Sequence, residues 1–147
     1  MTHRVLCLGN TLLADDALGI VVAQQLRSRY PDLDVVESSA SGFDLLDLTL
    51  GVRHLLVVDI FKSGTLRPGT VSIFREQDLQ AVPGGSPHYI GLFEALRLGK
   101  ELSLAVPEDV AIIAVEPADC ITVGGPMDTA VEGAIPVVLD LVRRMTS

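Results

Sequence analysis

The chain has 147 residues, enough for one ordinary domain that buries roughly 70% of the surface exposed by its unfolded form. Hydrophobic residues make up 48% and charged residues 20%, which excludes a disordered profile. Lys and Arg number 11 against 19 Asp and Glu, a net charge of −8, so nucleic acid and anionic membranes, which demand a basic face, are disfavoured as main partners.

In chain order, Val5 to Leu8 reads as a buried strand ending at Gly9-Asn10. Asp15 or Asp16 is placed to cap a helix that runs to about Tyr30, with Leu18, Val21, Val22 and Leu26 on its apolar face and Pro31 as its stop. Leu33 to Glu37 is a second strand, followed by the small-residue loop Ser38 to Gly42 and a short helix from Phe43 to Leu50. His54 to Phe61 holds the continuous apolar run Leu55-Leu56-Val57-Val58, the pattern of a central parallel strand covered on both faces. Thr70 to Phe74 is another strand. The link before it, Lys62 to Gly69, is too short for a helical crossover, so this strand is expected to be antiparallel and at an edge.

A Pro/Gly-rich loop, Ala81 to Pro87, precedes a helix from about His88 to Gly99. Val110 to Val115 is the fifth strand, ending at Glu116-Pro117. A Gly-Gly-Pro turn introduces a last helix striped by Ala130, Ala134, Val137, Val138, Leu141, Val142 and Met145, in which Pro136 should cause a kink or a delayed start. The alternation predicts an α/β fold: a three-layer α/β/α sandwich around a mostly parallel five-stranded sheet with one antiparallel edge strand. There is no internal repeat, no apolar run of the ~18 to 20 residues that cross a bilayer, and no signal-peptide pattern. Cys7 and Cys120 are lone thiols, which suit a reducing compartment. The expectation is a single cytoplasmic domain over residues 1–147.

Ligands of an open α/β sheet bind beyond the carboxyl ends of its strands, at the point where the winding reverses. Asp16 follows the first strand, Asp59 ends the central strand, and His88 opens a helix after Ser86-Pro87. If they converge, two carboxylates and an imidazole suit a first-row divalent ion. Each also has an ordinary use: a helix cap for Asp16, an acceptor of loop amides for Asp59, a plain loop residue for His88. Elsewhere the signals are weaker. Gly9 to Ala14 is neither GxGxxG nor a Walker loop, no GxSxG elbow is present, Cys7 reads as a buried structural thiol, and Glu116 is better read as structural than as a lining of the crevice.

The stretch Leu8-Gly9-Asn10-Thr11-Leu12-Leu13-Ala14-Asp15-Asp16-Ala17-Leu18-Gly19 resembles the N-terminal signature of the hydrogenase maturation endopeptidases. Leu55-Leu56-Val57-Val58-Asp59, Pro68-Gly69-Thr70-Val71, Ser86-Pro87-His88-Tyr89-Ile90-Gly91-Leu92 and Val115-Glu116-Pro117 are similar to further elements of that family, in order along essentially the whole chain. The resemblance implies a twisted α/β sandwich and a peptidase that trims the C-terminus of the large-subunit precursor of nickel–iron hydrogenases. It also implies that Asp16, Asp59 and His88 are both metal-contacting and catalytic, and that the nickel is supplied by the substrate, with no metal needed at rest. Two positions depart from the pattern. Glu37-Ser38-Ser39-Ala40-Ser41-Gly42 stands where the family carries a DGGT-like stretch, and Ala17 stands where glycine is common. If that loop binds the substrate tail, they point to a divergent partner or to lost activity.

Two other functions compete. A peptidyl-tRNA hydrolase-like enzyme also opens with a strand and Gly-Asn, but the −8 charge and only two lysines oppose an RNA groove. A non-proteolytic maturation chaperone or metal-sensing binding module on the same scaffold is favoured by the altered Glu37 loop. Aromatics are only 4% and tryptophan is absent, so a monomer that docks transiently on its partner is expected.

Overall fold

In a computed structural model of the chain, residues 2–9, 15–118 and 125–147 are described. Cys120, most of the Gly9 to Ala14 stretch and the first glycine of the Gly-Gly-Pro turn lie outside them. Five strands form one sheet: β1 (His3–Leu8), β2 (Val35–Ser38), β3 (His54–Ile60), β4 (Val71–Phe74) and β5 (Asp109–Val115). Their order is β2-β1-β3-β5-β4, all parallel except β4, which runs antiparallel to β5 at the edge. The short link before β4 thus has the predicted consequence.

Side chains of a strand alternate between faces, and the central strands are apolar on both. Val5, Cys7, Leu56, Val58, Ile113 and Val115 point into one core. Leu6, Leu55, Val57 and Ile112 point into the other. The first core is covered by α1 (Leu18–Arg29) and α4 (Thr129–Thr146) through Leu18, Val22, Leu26, Val131, Val138 and Val142. The second is covered by α2 (Leu46–Thr49) and α3 (Gly85–Glu101), with Tyr89, Leu92, Phe93 and Leu96 seated on the sheet. Burying each such side chain stabilises the fold by about 1.5 to 3 kcal/mol, and these two layers hold the molecule together.

Three sequence expectations change. Neither Asp15 nor Asp16 caps α1: they form a 3-10 turn, Asp15–Ala17, and the helix starts behind Ala17 with no side-chain cap. The loop before α3 is shorter than expected, because Glu76–Ala81 forms 3-10 turns and α3 already begins at Gly85. Pro136 does not delay α4, which already runs from Thr129 and carries the proline inside it. Pro136 offers no N–H to the Glu132 carbonyl, and both residues are exposed, where an unpaired carbonyl costs far less than in the core.

Glycines allow two close approaches. A methyl group on Gly19 would overlap the Leu8 carbonyl oxygen, so only glycine lets α1 sit directly on β1. A methyl group on Gly9 would lie 2.7 Å from the Asp16 carbonyl oxygen, so Gly9 lets the Asp15–Ala17 turn fold back over the end of β1.

Candidate functional site

The winding reverses between β1 and β3, because β1 has β2 on one side and β3 on the other. At the carboxyl ends of these strands lies a cavity of about 250 Å³. Its lining includes Leu8 and Gly9 from the end of β1, Asp16, the loop Ser39 to Gly42, Asp59 and His88. The structure therefore brings the three sequence-selected residues to one cavity. Asp16 is delivered by the turn after β1, Asp59 is the penultimate residue of β3, and His88 stands in the first turn of α3.

Asp59 is the buried member, at 7% exposure. Its Oδ2 lies 3.1 Å from His88 Nε2 and accepts the Tyr89 hydroxyl at 2.9 Å. Its Oδ1 has no hydrogen-bond partner among the described residues. Asp16 is partly buried, and burial first, then the Asp59 charge, raises its carboxyl above the ordinary value, with His88 acting in the opposite direction. Tyr89 is buried, and burial and the Asp59 charge push its hydroxyl upward, so it remains a donor. Among the described residues no group of three His, Cys, Asp or Glu side chains is already drawn together as a metal cage. Since His88 and Asp59 hold each other, an ion taken up here would have to part them.

Tyr89 is the residue that sequence reasoning missed. An aromatic at the start of a helix with an apolar stripe is buried for its ring, and a buried hydroxyl needs a partner, which was the available signal. Phe61 completes the support: its ring lies 4.8 Å from that of His88 and 5.5 Å from that of Tyr89. Gly91 serves the same site, since a methyl group there would come to 3.1 Å from Gly42 Cα and push the loop off α3.

The neighbouring acids do other work. Asp15 is fully buried, and its carboxylate accepts the backbone N–H groups of Ala118 and Asp128, both at 2.8 Å. Glu116 is also buried and accepts Ser63 N–H, Ser63 O–H and Gly64 N–H, which fastens the turn after β3. Glu37, the acid of the altered loop, is paired with Arg27 at 3.1 Å and does not line the cavity.

Residues 20–145 match the family model described as hydrogenase maturation protease, HycI. The chain is 34% identical over 101 residues to the hydrogenase 2 maturation protease of Escherichia coli, a match that covers 65% of this chain and 62% of that protein. It is 31% identical to the hydrogenase expression/formation protein HoxM of Cupriavidus necator, over 93% of this chain and 72% of that one. Among solved structures, the hydrogenase maturating endopeptidase HybD of E. coli superimposes with a TM-score of 0.80 at 28% identity, covering 97% of this chain and 90% of that chain. HybD of Thermococcus kodakarensis superimposes with a TM-score of 0.77 over the full length of both chains, at 21% identity, a likeness of fold.

Proposed function

The chain belongs to the hydrogenase maturation protease family, and on that premise we propose that it cuts the C-terminal extension from a nickel-loaded hydrogenase large-subunit precursor, reading the nickel at Asp16, Asp59 and His88. The observation that carries the reading is the convergence of these three side chains on one cavity at the switch point of the sheet. Two oxygen donors and one nitrogen donor suit a first-row divalent ion, and the ion arrives with the substrate. Bound there, the metal would supply Lewis-acid polarisation of a carbonyl.

The chain's own residues supply the proton chemistry. Hydrolysis needs a base for the attacking water and an acid for the departing amine, and both work best when their proton affinity lies near the working pH. Asp16 and Asp59 are the carboxylates available to help a water molecule attack. Asp59 is held by His88 and Tyr89 through one oxygen and keeps the other for the substrate. Among the described residues no helix is long and apolar enough to cross a membrane. The reading extends to a monomer working in the cytoplasm.

Purified chain, incubated with precursor loaded with nickel or lacking it, tests this by the mass of the large subunit. The expected result is shortening of the nickel-loaded form alone, lost in His88→Ala, with a melting temperature close to that of the wild type because His88 is half exposed. Equal cutting of the nickel-free precursor refutes the nickel checkpoint. A stable complex that is never cut favours the binding-module alternative.

A further inference from the structure

A second recess of about 210 Å³ lies on the other side of Phe61, between the turn after β3, strand β4 and the Ala81 to Pro83 segment. We propose that it is a subsite for one aliphatic or aromatic side chain of the precursor, within two residues of the bond that is cut. The inference rests on the proteolytic reading and adds to it a determinant of sequence preference.

Continuity with the catalytic cavity is the first argument. Phe61 lines the recess, and the same ring packs on His88 at 4.8 Å. The recess lies at the same end of the sheet, since β4 pairs Val71 with Val115, the last residue of β5. An extended chain advances ~3.3 to 3.6 Å per residue, so a substrate held beside His88 reaches past Phe61 with its next one or two residues.

The chemistry of the walls selects the occupant. Phe61, Leu66, Phe74, Val82 and Pro83 supply the apolar surface. Among the described residues Glu116 is the one ionisable lining residue, and both its oxygens are engaged by the Ser63 and Gly64 donors, so a cationic side chain would have to displace these bonds to pair with it. Burying a charge without a partner is costly, whereas an apolar side chain gains by leaving water. Size agrees, because a cavity of ~150 Å³ takes up a benzene ring. The same Glu116 bonds hold the turn in place, so the recess exists before the substrate arrives.

The test substitutes each of the two residues on either side of the scissile bond, in nickel-loaded precursor, with Leu, Ala, Asp or Lys. At one position, kcat/KM should fall by about tenfold or more from Leu to Asp or Lys, as expected for a pocket built for apolar groups. Ser72→Phe, a β4 residue that lines the recess away from Asp16, Asp59 and His88, should remove that preference for Leu and leave Ala as the better residue. A wild type that prefers Lys at that position, or is indifferent at all four, overturns the subsite while leaving proteolysis intact. A second readout needs no cleavage: a peptide spanning the precursor's cut site should shift the methyl NMR signals of Leu66 and Val82 when it carries Leu, and not when it carries Asp. Absence of shifts with the Leu peptide overturns the subsite. Absence of cleavage with the shifts present overturns the proteolytic reading instead.

Discussion

Replacing Asp15 with alanine should cost the fold far more stability than replacing the neighbouring Asp16. Asp15 is fully buried and its two carboxylate oxygens each accept a backbone N–H at 2.8 Å, from Ala118 and Asp128. Those donors belong to the segment after β5 and to the entry of α4, so a single side chain ties three parts of the chain together. Hydrogen bonds to a charged group contribute about 1.5 to 3 kcal/mol each, and truncation also leaves both amides without their acceptor. The two bonds together set a loss of about 3 to 6 kcal/mol, a large part of the ~5 to 15 kcal/mol that a domain holds. At roughly 2 to 4 °C per kcal/mol, the melting temperature should fall by about 6 to 24 °C. Asp15→Asn keeps one acceptor oxygen but sets its NH2 against the other backbone N–H, so it should lose at least about half as much. Urea denaturation followed by circular dichroism, with the slope checked for constancy, gives the free energies. A loss near ~1 kcal/mol in Asp15→Ala, the usual worth of a helix cap, would refute the tether.

Three further outcomes follow from particular contacts. Gly19→Ala should destabilise the fold by about 3 kcal/mol or more, because the added methyl overlaps the Leu8 carbonyl where neither backbone can retreat; a melt like that of the wild type counts against the α1–β1 seat. Burial pushes the Cys7 thiol up to about 12, so it should resist iodoacetamide in the native state and react only after denaturation, as read by peptide mass mapping. Asp109 is held below its ordinary value of 3.8, first by the hydrogen bond from Arg75 and against the effect of burial, with His54 adding to the Arg75 effect. A depressed acid stabilises the fold above its unfolded value and loses that contribution as pH falls through the folded one. The stability difference between wild type and Asp109→Asn, small for so exposed a pair, should therefore be full above that value and close below it. Paired urea melts over a pH series check this, and a gap that persists at the acid end refutes it.

The strands were legible because their burial is encoded locally. Leu55-Leu56-Val57-Val58 cannot face water on either side, and the short link before β4 leaves an antiparallel edge as the economical return. Strand ends moved by a residue or two where pairing extends the ladder past the apolar run, as at His3 opposite His54 and Asp109 opposite His54. The 3-10 turns at Glu76–Ala81 and the start of α3 at Gly85 were hidden by glycines and prolines, which mark breaks in general but here lie inside and beside helical turns. Gly84, in the left-handed conformation at φ 73°, is the residue that makes this entry possible.

The site shows the same division more sharply. Asp59 and His88 could be placed from sequence because each sits at the end of an element whose direction the apolar pattern reveals. Asp15 and Asp16 are adjacent, chemically identical and equally suited to a cap, so no local signal separates them. The turn they form separates them. With three residues per turn, neighbouring side chains of a 3-10 segment leave the axis about 120° apart, so one acid can face the core side while the other faces the cavity. The amides of Ala118 and Asp128, more than a hundred residues away in sequence, bond to Asp15 and so hold that acid inward. Asp15 is therefore the residue that aims Asp16: its tether fixes the turn, and the turn carries the second carboxylate to the cavity lined by Asp59 and His88. Asp15→Asn, with part of the tether kept, should accordingly cost activity through a misplaced Asp16 as well as stability.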